Sequence, residues 1–162
     1  LVALPGVIVA SILMVSAAQN RAFEDKANGF SITMAGDWKA ITYSDAVGRQ
    51  KTEFIYRDRS EGLLRVSRNS LEGKSVADAV RSDQEGLKAY RQGFELSSSE
   101  PFGADGIRVS FYYNESGKRF AETDYFLKEG DHVWELRFTG KRGVLDLIRN
   151  LTDQMAHSFK PM

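Results

Sequence analysis

Apolar and polar side chains alternate strictly along Phe30-Ser-Ile-Thr-Met34, which predicts a β-strand with one buried face. Ala35-Gly-Asp37 predicts a turn, and Trp38 to Tyr43 a second extended segment. Lys51 to Asp58 and Leu63 to Asn69 read as a hairpin joined through Arg59-Ser-Glu-Gly62. The period then changes. Val76, Val80, Leu87 and Tyr90 fall on one helical stripe, with Ser75 as N-cap and Asp78 three residues on, a variant capping box. Phe94 to Phe102 predicts another strand, weakened by Ser97-Ser-Ser99. Gly106 to Asn114, Arg119 to Leu127 and His132 to Thr139 predict a three-strand meander, with a glycine in each turn where a positive φ is needed. A closing helix is expected from about Gly143 to Ser158, carrying Val144, Leu147, Ile148, Leu151, Met155 and Phe159 on one side. The fold class this predicts is α+β, a central antiparallel sheet of about six to seven strands flanked by helices.

The meander permits a prediction of register. Closing the second turn at Glu129-Gly130 pairs Tyr125 with Trp134, Thr123 with Leu136 and Ala121 with Phe138 on an apolar face. The opposite face then pairs Asp124 with Glu135 and Glu122 with Arg137. In the preceding hairpin a two-residue loop puts Phe111 and Val109 on the charged face. A three-residue loop, Ser116-Gly-Lys118, keeps both with the apolar set and sets Tyr112 beside Glu122 and Ser110 beside Asp124. A one-residue slip flips every side chain, so burial favours the three-residue loop.

The first 18 residues, Leu1 to Ala18, contain no charge and end in Ser16-Ala-Ala18, small side chains of the kind signal peptidase accepts. They are expected to be a signal peptide cleaved before Gln19, with a short basic start ahead of Leu1. The alternatives are an uncleaved signal anchor and a buried N-terminal helix; the run is marginal for a span, which needs about 20 residues. A polar lead-in follows over 19–28, and 29–162 reads as one domain. Hydrophobic residues at 42% and charged residues at 27% place the chain among globular rather than disordered proteins. Lys plus Arg equals Asp plus Glu at 22 each, so no net field draws a polyanion, which disfavours nucleic acid as a partner. The absence of cysteine removes disulfides, thiol nucleophiles, thiolate metal sites and lipid attachment.

Gly29-Phe-Ser-Ile-Thr-Met-Ala-Gly-Asp-Trp38 resembles the opening signature of the PsbP-like and Mog-like proteins, in which a strand, a turn and a Trp begin the sheet. The resemblance continues through the mid-chain helix, the meander ending Tyr-Phe-Leu-Lys-Glu-Gly-Asp-His-Val-Trp-Glu-Leu-Arg-Phe138, and the last helix closing in Phe159-Lys-Pro161. Ala35 stands where the family usually has Pro. It implies an α/β/α sandwich, helices on both sides of the sheet, and a binding or accessory role, since the family shares no catalytic residues. Its members include a lumenal photosystem subunit, a Ran-binding nuclear factor and many exported bacterial proteins. The apolar leader makes this chain similar to the exported branch.

Candidate chemistry adds little. Glu72-Gly-Lys-Ser75 precedes a helix, but a P-loop needs Gly where Arg68 stands, so the segment reads as a turn with a cap. His132 and His157 are a lone pair without Cys, thin support for zinc, which needs three or four protein ligands, and His157 in a last helical turn suits the helix dipole. No G-x-S-x-G elbow occurs, leaving a hydrolase as a third, unsupported function. The facing carboxylates Asp124 and Glu135 admit three readings: a glycosidase-like acid pair, a weak Ca²⁺ site, or a solvated face on which Arg108 and Arg137 bracket the acids. The last is preferred. Trp38 and Trp134 are read as core. The sequence therefore points to a non-catalytic, cofactor-free accessory protein, periplasmic or secreted, which contacts another envelope protein. The contact residues are Arg108, Tyr112, Glu122, Asp124, Glu135 and Arg137, on the mixed face. The alternative is a small-ligand or ion carrier using a cleft between sheet and helix.

Overall fold

Alternation builds two sheets. The computed structural model describes residues 20–162; the expected signal peptide, Leu1 to Ala18, lies outside the described residues, as does its cleavage point. Phe30, Ile32 and Met34 bury their side chains from β2 (Phe30–Met34), which pairs antiparallel with β1 (Arg21–Asp25) on one side and β10 (Lys160–Pro161) on the other. Within the expected polar lead-in, β1 forms although only Phe23 reaches the main core. Buried Asp25 fixes the turn into β2, accepting hydrogen bonds from Asn28 N at 3.0 Å and Asn28 Nδ2 at 2.8 Å.

The second sheet has seven strands: β3 (Trp38–Ser44), β4 (Gln50–Tyr56), β5 (Gly62–Ser70), β6 (Glu95–Phe102), β7 (Gly106–Glu115), β8 (Lys118–Glu129) and β9 (His132–Lys141). Its order is β3-β4-β5-β9-β8-β7-β6, antiparallel throughout. Between β5 and β6 runs α1 (Val76–Tyr90), opened by the expected cap. Ser75 Oγ accepts from Asp78 N at 3.1 Å while Ser75 N donates to the Asp78 carboxylate. Val76, Val80 and Leu87 are buried on this helix, but Tyr90, expected on the same stripe, is exposed where the helix ends. The expected closing helix is broken into α2 (Arg142–Leu145) and α3 (Arg149–Ser158). The break keeps Leu145 and Ile148 in the core and turns Leu147 out to solvent.

Register departs from expectation at both hairpins. The β8–β9 turn is Gly130-Asp131, so Tyr125 pairs Leu136, Thr123 pairs Phe138 and Ala121 pairs Gly140. That two-residue shift preserves which side chains share a face but ends the expected like-charge pairing: Asp124 lies opposite Arg137, Glu135 opposite Phe126 and Glu122 opposite Thr139. At β7–β8 the loop has two residues, not three. Ser116 and Gly117 both take positive φ, 51° and 73°, the type I′ geometry whose twist matches the strands. Val109 now pairs Asp124, Phe111 pairs Glu122, Ser110 pairs Thr123 and Tyr112 pairs Ala121. Burial could not select the register, because both faces are buried.

On one face Trp38, Phe54, Leu64, Tyr125, Trp134, Leu136 and Phe138 pack against Phe30, Ile32 and Met34 of the small sheet and Ile148 and Met155 beside and within α3. On the other, Val76, Val80 and Leu87 of α1 cover Val109, Phe111, Phe126 and Val133. The result is the expected α+β sandwich, helices on both sides of an antiparallel sheet. Among the described residues no helix is long and apolar enough to cross a membrane.

Candidate functional site

Under α1 the apolar cover is interrupted by charge. The inward stripe of the helix runs Val76, Val80, Asp83, Leu87 and then Arg91 just past its end, each three or four residues from the last. Two of those five positions therefore carry charge into the interior. They meet Glu122 and Asp124 from β8 and Glu135 and Arg137 from β9, which share that face because Asp124 pairs Arg137 and Phe126 pairs Glu135. Glu122 and Asp124 are 0% exposed.

One guanidinium serves four carboxylates. Arg137 Nη2 donates to Asp83 Oδ1 at 2.9 Å and to Glu135 Oε1. Its Nε lies 3.0 Å from Glu122 Oε1 and 3.2 Å from Asp124 Oδ2, within ionic contact. Neither approach is aligned as a hydrogen bond, so among the described residues both oxygens of Glu122 and both of Asp124 accept none. Arg91 is the second cation, 3.6 Å from Glu122 Oε2 and 3.8 Å from Glu115, its guanidinium 4.2 Å above the Tyr113 ring. Arg65 pairs Arg137 across β5 and β9 but is exposed and makes no ion pair among the described residues.

Burial dominates the protonation of this cluster. It raises the Glu122 carboxyl to about 7, with Arg137 and Arg91 pulling the other way. Burial and then the neighbouring Glu122 hold Asp124 well above the usual carboxylate range. Glu135 is raised by burial despite Arg137. Burial works against the charge on Arg137, yet Asp124, Glu135 and Glu122 outweigh it and hold the guanidinium protonated beyond its ordinary range. Tyr113 beside them is raised to about 12, chiefly by burial. These are groups arranged to share or gain positive charge. A cavity of about 300 Å³ opens onto the cluster between α1 and the β5 end, lined by Glu72, Asp78, Asp83 and Glu135 with Lys74 and Ser82.

The six expected contact residues divide between the two faces. Glu122, Asp124, Glu135 and Arg137 come together beneath α1; Arg108 and Tyr112 lie on the other face. Arg108 does not bracket the acids: its guanidinium holds Asp153 of α3 at 2.8 Å and Glu100 at 2.5 Å. Asp153 also accepts from the buried Tyr125 hydroxyl at 2.5 Å. Tyr112 donates to Asp146 at 3.2 Å, with Arg142 4.2 Å over its ring. The flip of β7 separates them, and the face read as solvated is closed by α1. Asp83 and Arg91 were missing from the expected set, although their charge at stripe positions of the helix was a visible signal.

The other candidates settle into the scaffold. Trp38 and Trp134 are buried as expected, and Trp134 Nε1 donates to Glu129 at 2.7 Å. Trp134 also borders a second cavity of about 290 Å³ with Phe102, His157 and Phe159. His157 lies in the last turn of α3 and stacks on Phe102 at 4.2 Å, and His132 pairs Glu129 beside its hairpin turn. Glu72-Gly-Lys-Ser75 is a turn and helix cap.

No protein-family model matches the sequence, and no curated protein matches it. Solved structures match its shape. The Ran-binding protein Mog1p of Saccharomyces cerevisiae superposes with a TM-score of 0.64 at 8% identity, over 90% of this chain and 96% of that one. LpqN of Mycobacterium tuberculosis, described as involved in cell envelope biogenesis, gives 0.59 at 12%, over 88% and 90%. The cyanobacterial PsbP of Synechocystis gives 0.58 at 14%, over 95% and 99%. The chain has the PsbP/Mog-like fold.

Proposed function

We propose that this protein is a non-catalytic accessory protein of the cell envelope that works by binding another protein. Exposed apolar side chains at an open sheet edge carry the reading. Among the described residues β3 is an edge strand, and β4 pairs with β5 only at Phe54–Leu64 and Ile55–Leu63, so the outer half of the β3–β4 hairpin projects as an arm. On that arm Ile41 is 40% exposed, Tyr43 42% and Val47 73%. Asp45 shapes the tip, accepting from the backbone N–H groups of Val47 and Arg49. Exposed apolar groups beside unpaired strand N–H and C=O groups are what a protein partner can cover.

The neighbours agree in kind: Mog1p is described as Ran-binding and LpqN as acting in envelope biogenesis. The uncharged leader Leu1 to Ala18 supports export to the envelope. In this reading Arg108 and Tyr112 on β7, and Glu135 and Arg137 on β9, lie outside the contact surface, with β5 at least between them and the arm. Glu122 and Asp124 are fully buried and lie outside it as well.

A photo-crosslinking residue placed at Tyr43 or Val47 tests this in the envelope fraction. One defined adduct is expected at both positions and should be lost with Ile41→Lys. Adducts no stronger than those from exposed Leu147 would sink the proposal.

A further inference from the structure

Buried charges in proteins are neutralised by partners, by protons or by metal ions. Beneath α1 the four carboxylates Asp83, Glu122, Asp124 and Glu135 are in direct contact with two guanidiniums, Arg91 and Arg137. Positive charge is in deficit. Oxygen atoms of Asp83, Asp124 and Glu135 lie within 4.8 Å of one another, the separation at which they can share one ion with metal–oxygen distances of about 2.3–2.6 Å. A separate observation points the same way: Asp124 is fully buried, faces the other two carboxylates, and among the described residues accepts a hydrogen bond at neither oxygen, the Arg137 Nε 3.2 Å from its Oδ2 being misaligned for one.

We propose that Asp83, Asp124 and Glu135 form a divalent-cation site suited to calcium. The ion takes over the contacts that Arg137 Nη2 now makes with Asp83 and Glu135. The donor set is all oxygen, which selects a hard cation over zinc or copper. Calcium accepts irregular carboxylate geometry and can complete its shell with water from the adjoining cavity. Magnesium demands near-octahedral geometry and gives up water reluctantly. The cavity supplies the entry path, and its wall carries Glu72, Asp78, Asp83 and Glu135 against one Lys74. A cation is drawn inward by that balance.

The test is calorimetric titration of the full chain with calcium chloride, with melting temperature followed in parallel and ionic strength held constant with sodium chloride. Saturable binding of one ion per chain is expected, with a Kd of about 10⁻⁴–10⁻³ M as in extracellular modules, and a matching rise in Tm. The double variant Asp83→Asn/Glu135→Gln should bind at least about tenfold more weakly while keeping its circular dichroism spectrum. Terbium luminescence excited through Tyr113 gives a second readout on the unaltered chain, independent of how the variant folds; a signal displaced by calcium chloride supports the site. No saturable heat and no Tm rise up to about 10 mM calcium would overturn it, leaving protons as the neutralising charge. Binding undiminished in the double variant, or no terbium signal, would overturn it equally.

Discussion

Toward α3 and the small sheet, strands β8 and β9 present Tyr125, Leu136 and Phe138, which close against Ile32, Trp38 and Met155. Toward α1 the same two strands present Glu122, Asp124, Glu135 and Arg137 among Val109, Phe111 and Phe126. Both faces are covered, so strict alternation along a strand does not here mean one side open to solvent. The first face is held chiefly by packing, whose strength is nearly indifferent to pH. The second is a balance between desolvation and charge, which changes whenever a proton or an ion arrives.

The largest way to break the packed face is Phe138→Ala. It should cost about 3–5 kcal/mol in urea unfolding, with the same loss at pH 5.5 and 8. On the charged face Arg137→Met should also cost about 3–5 kcal/mol near pH 8, because four carboxylates lose their shared cation. That loss should shrink at low pH, and adding Glu122→Leu and Asp124→Val should recover about 1–4 kcal/mol. If Phe138→Ala and Arg137→Met respond alike to pH, the distinction between the faces fails.

A smaller effect sharpens it. The Glu122 carboxyl is raised to about 7 in the folded protein from an ordinary 4.5, so the folded state binds the extra proton between those values. The stability this contributes is complete below about pH 4.5 and is lost as pH rises through about 7. In calcium-free buffer, unfolding free energy should fall by roughly 1–3 kcal/mol between pH 5.5 and 8.5, and Glu122→Gln should flatten the curve. Smallest is Ser75→Ala, which removes the α1 cap and should cost about 1 kcal/mol by thermal unfolding without altering that pH slope.

Much of the fold was legible in the chain, and two of the errors share a cause. Trp134, Leu136 and Phe138 sit on the face their spacing predicted, and Ser75 caps the helix that Val76, Val80 and Leu87 predicted. Phe111 and Val109 went to the other face because the register was chosen to keep them dry. The turn residues Ser116-Gly117 specify a two-residue loop, and α1 supplies the dry environment from above. The same helix explains why Glu122 and Asp124 read as solvated: a strand's own sequence does not show what covers it. β1 was missed because a strand with one core side chain has no periodicity to find. Asp83 was within reach, an acid on an inward stripe, but its partners lie 41 or more residues further along the chain, at Asp124 and Glu135.

Whether the α1 face holds shared charge is tested most directly by ¹³C NMR titration of the side-chain carboxyls in the calcium-free protein. Glu122 should titrate near 7 and Asp124 well above the ordinary carboxylate range, their curves linked. Ordinary, independent titration of both near 4 would contradict a buried, charge-deficient cluster.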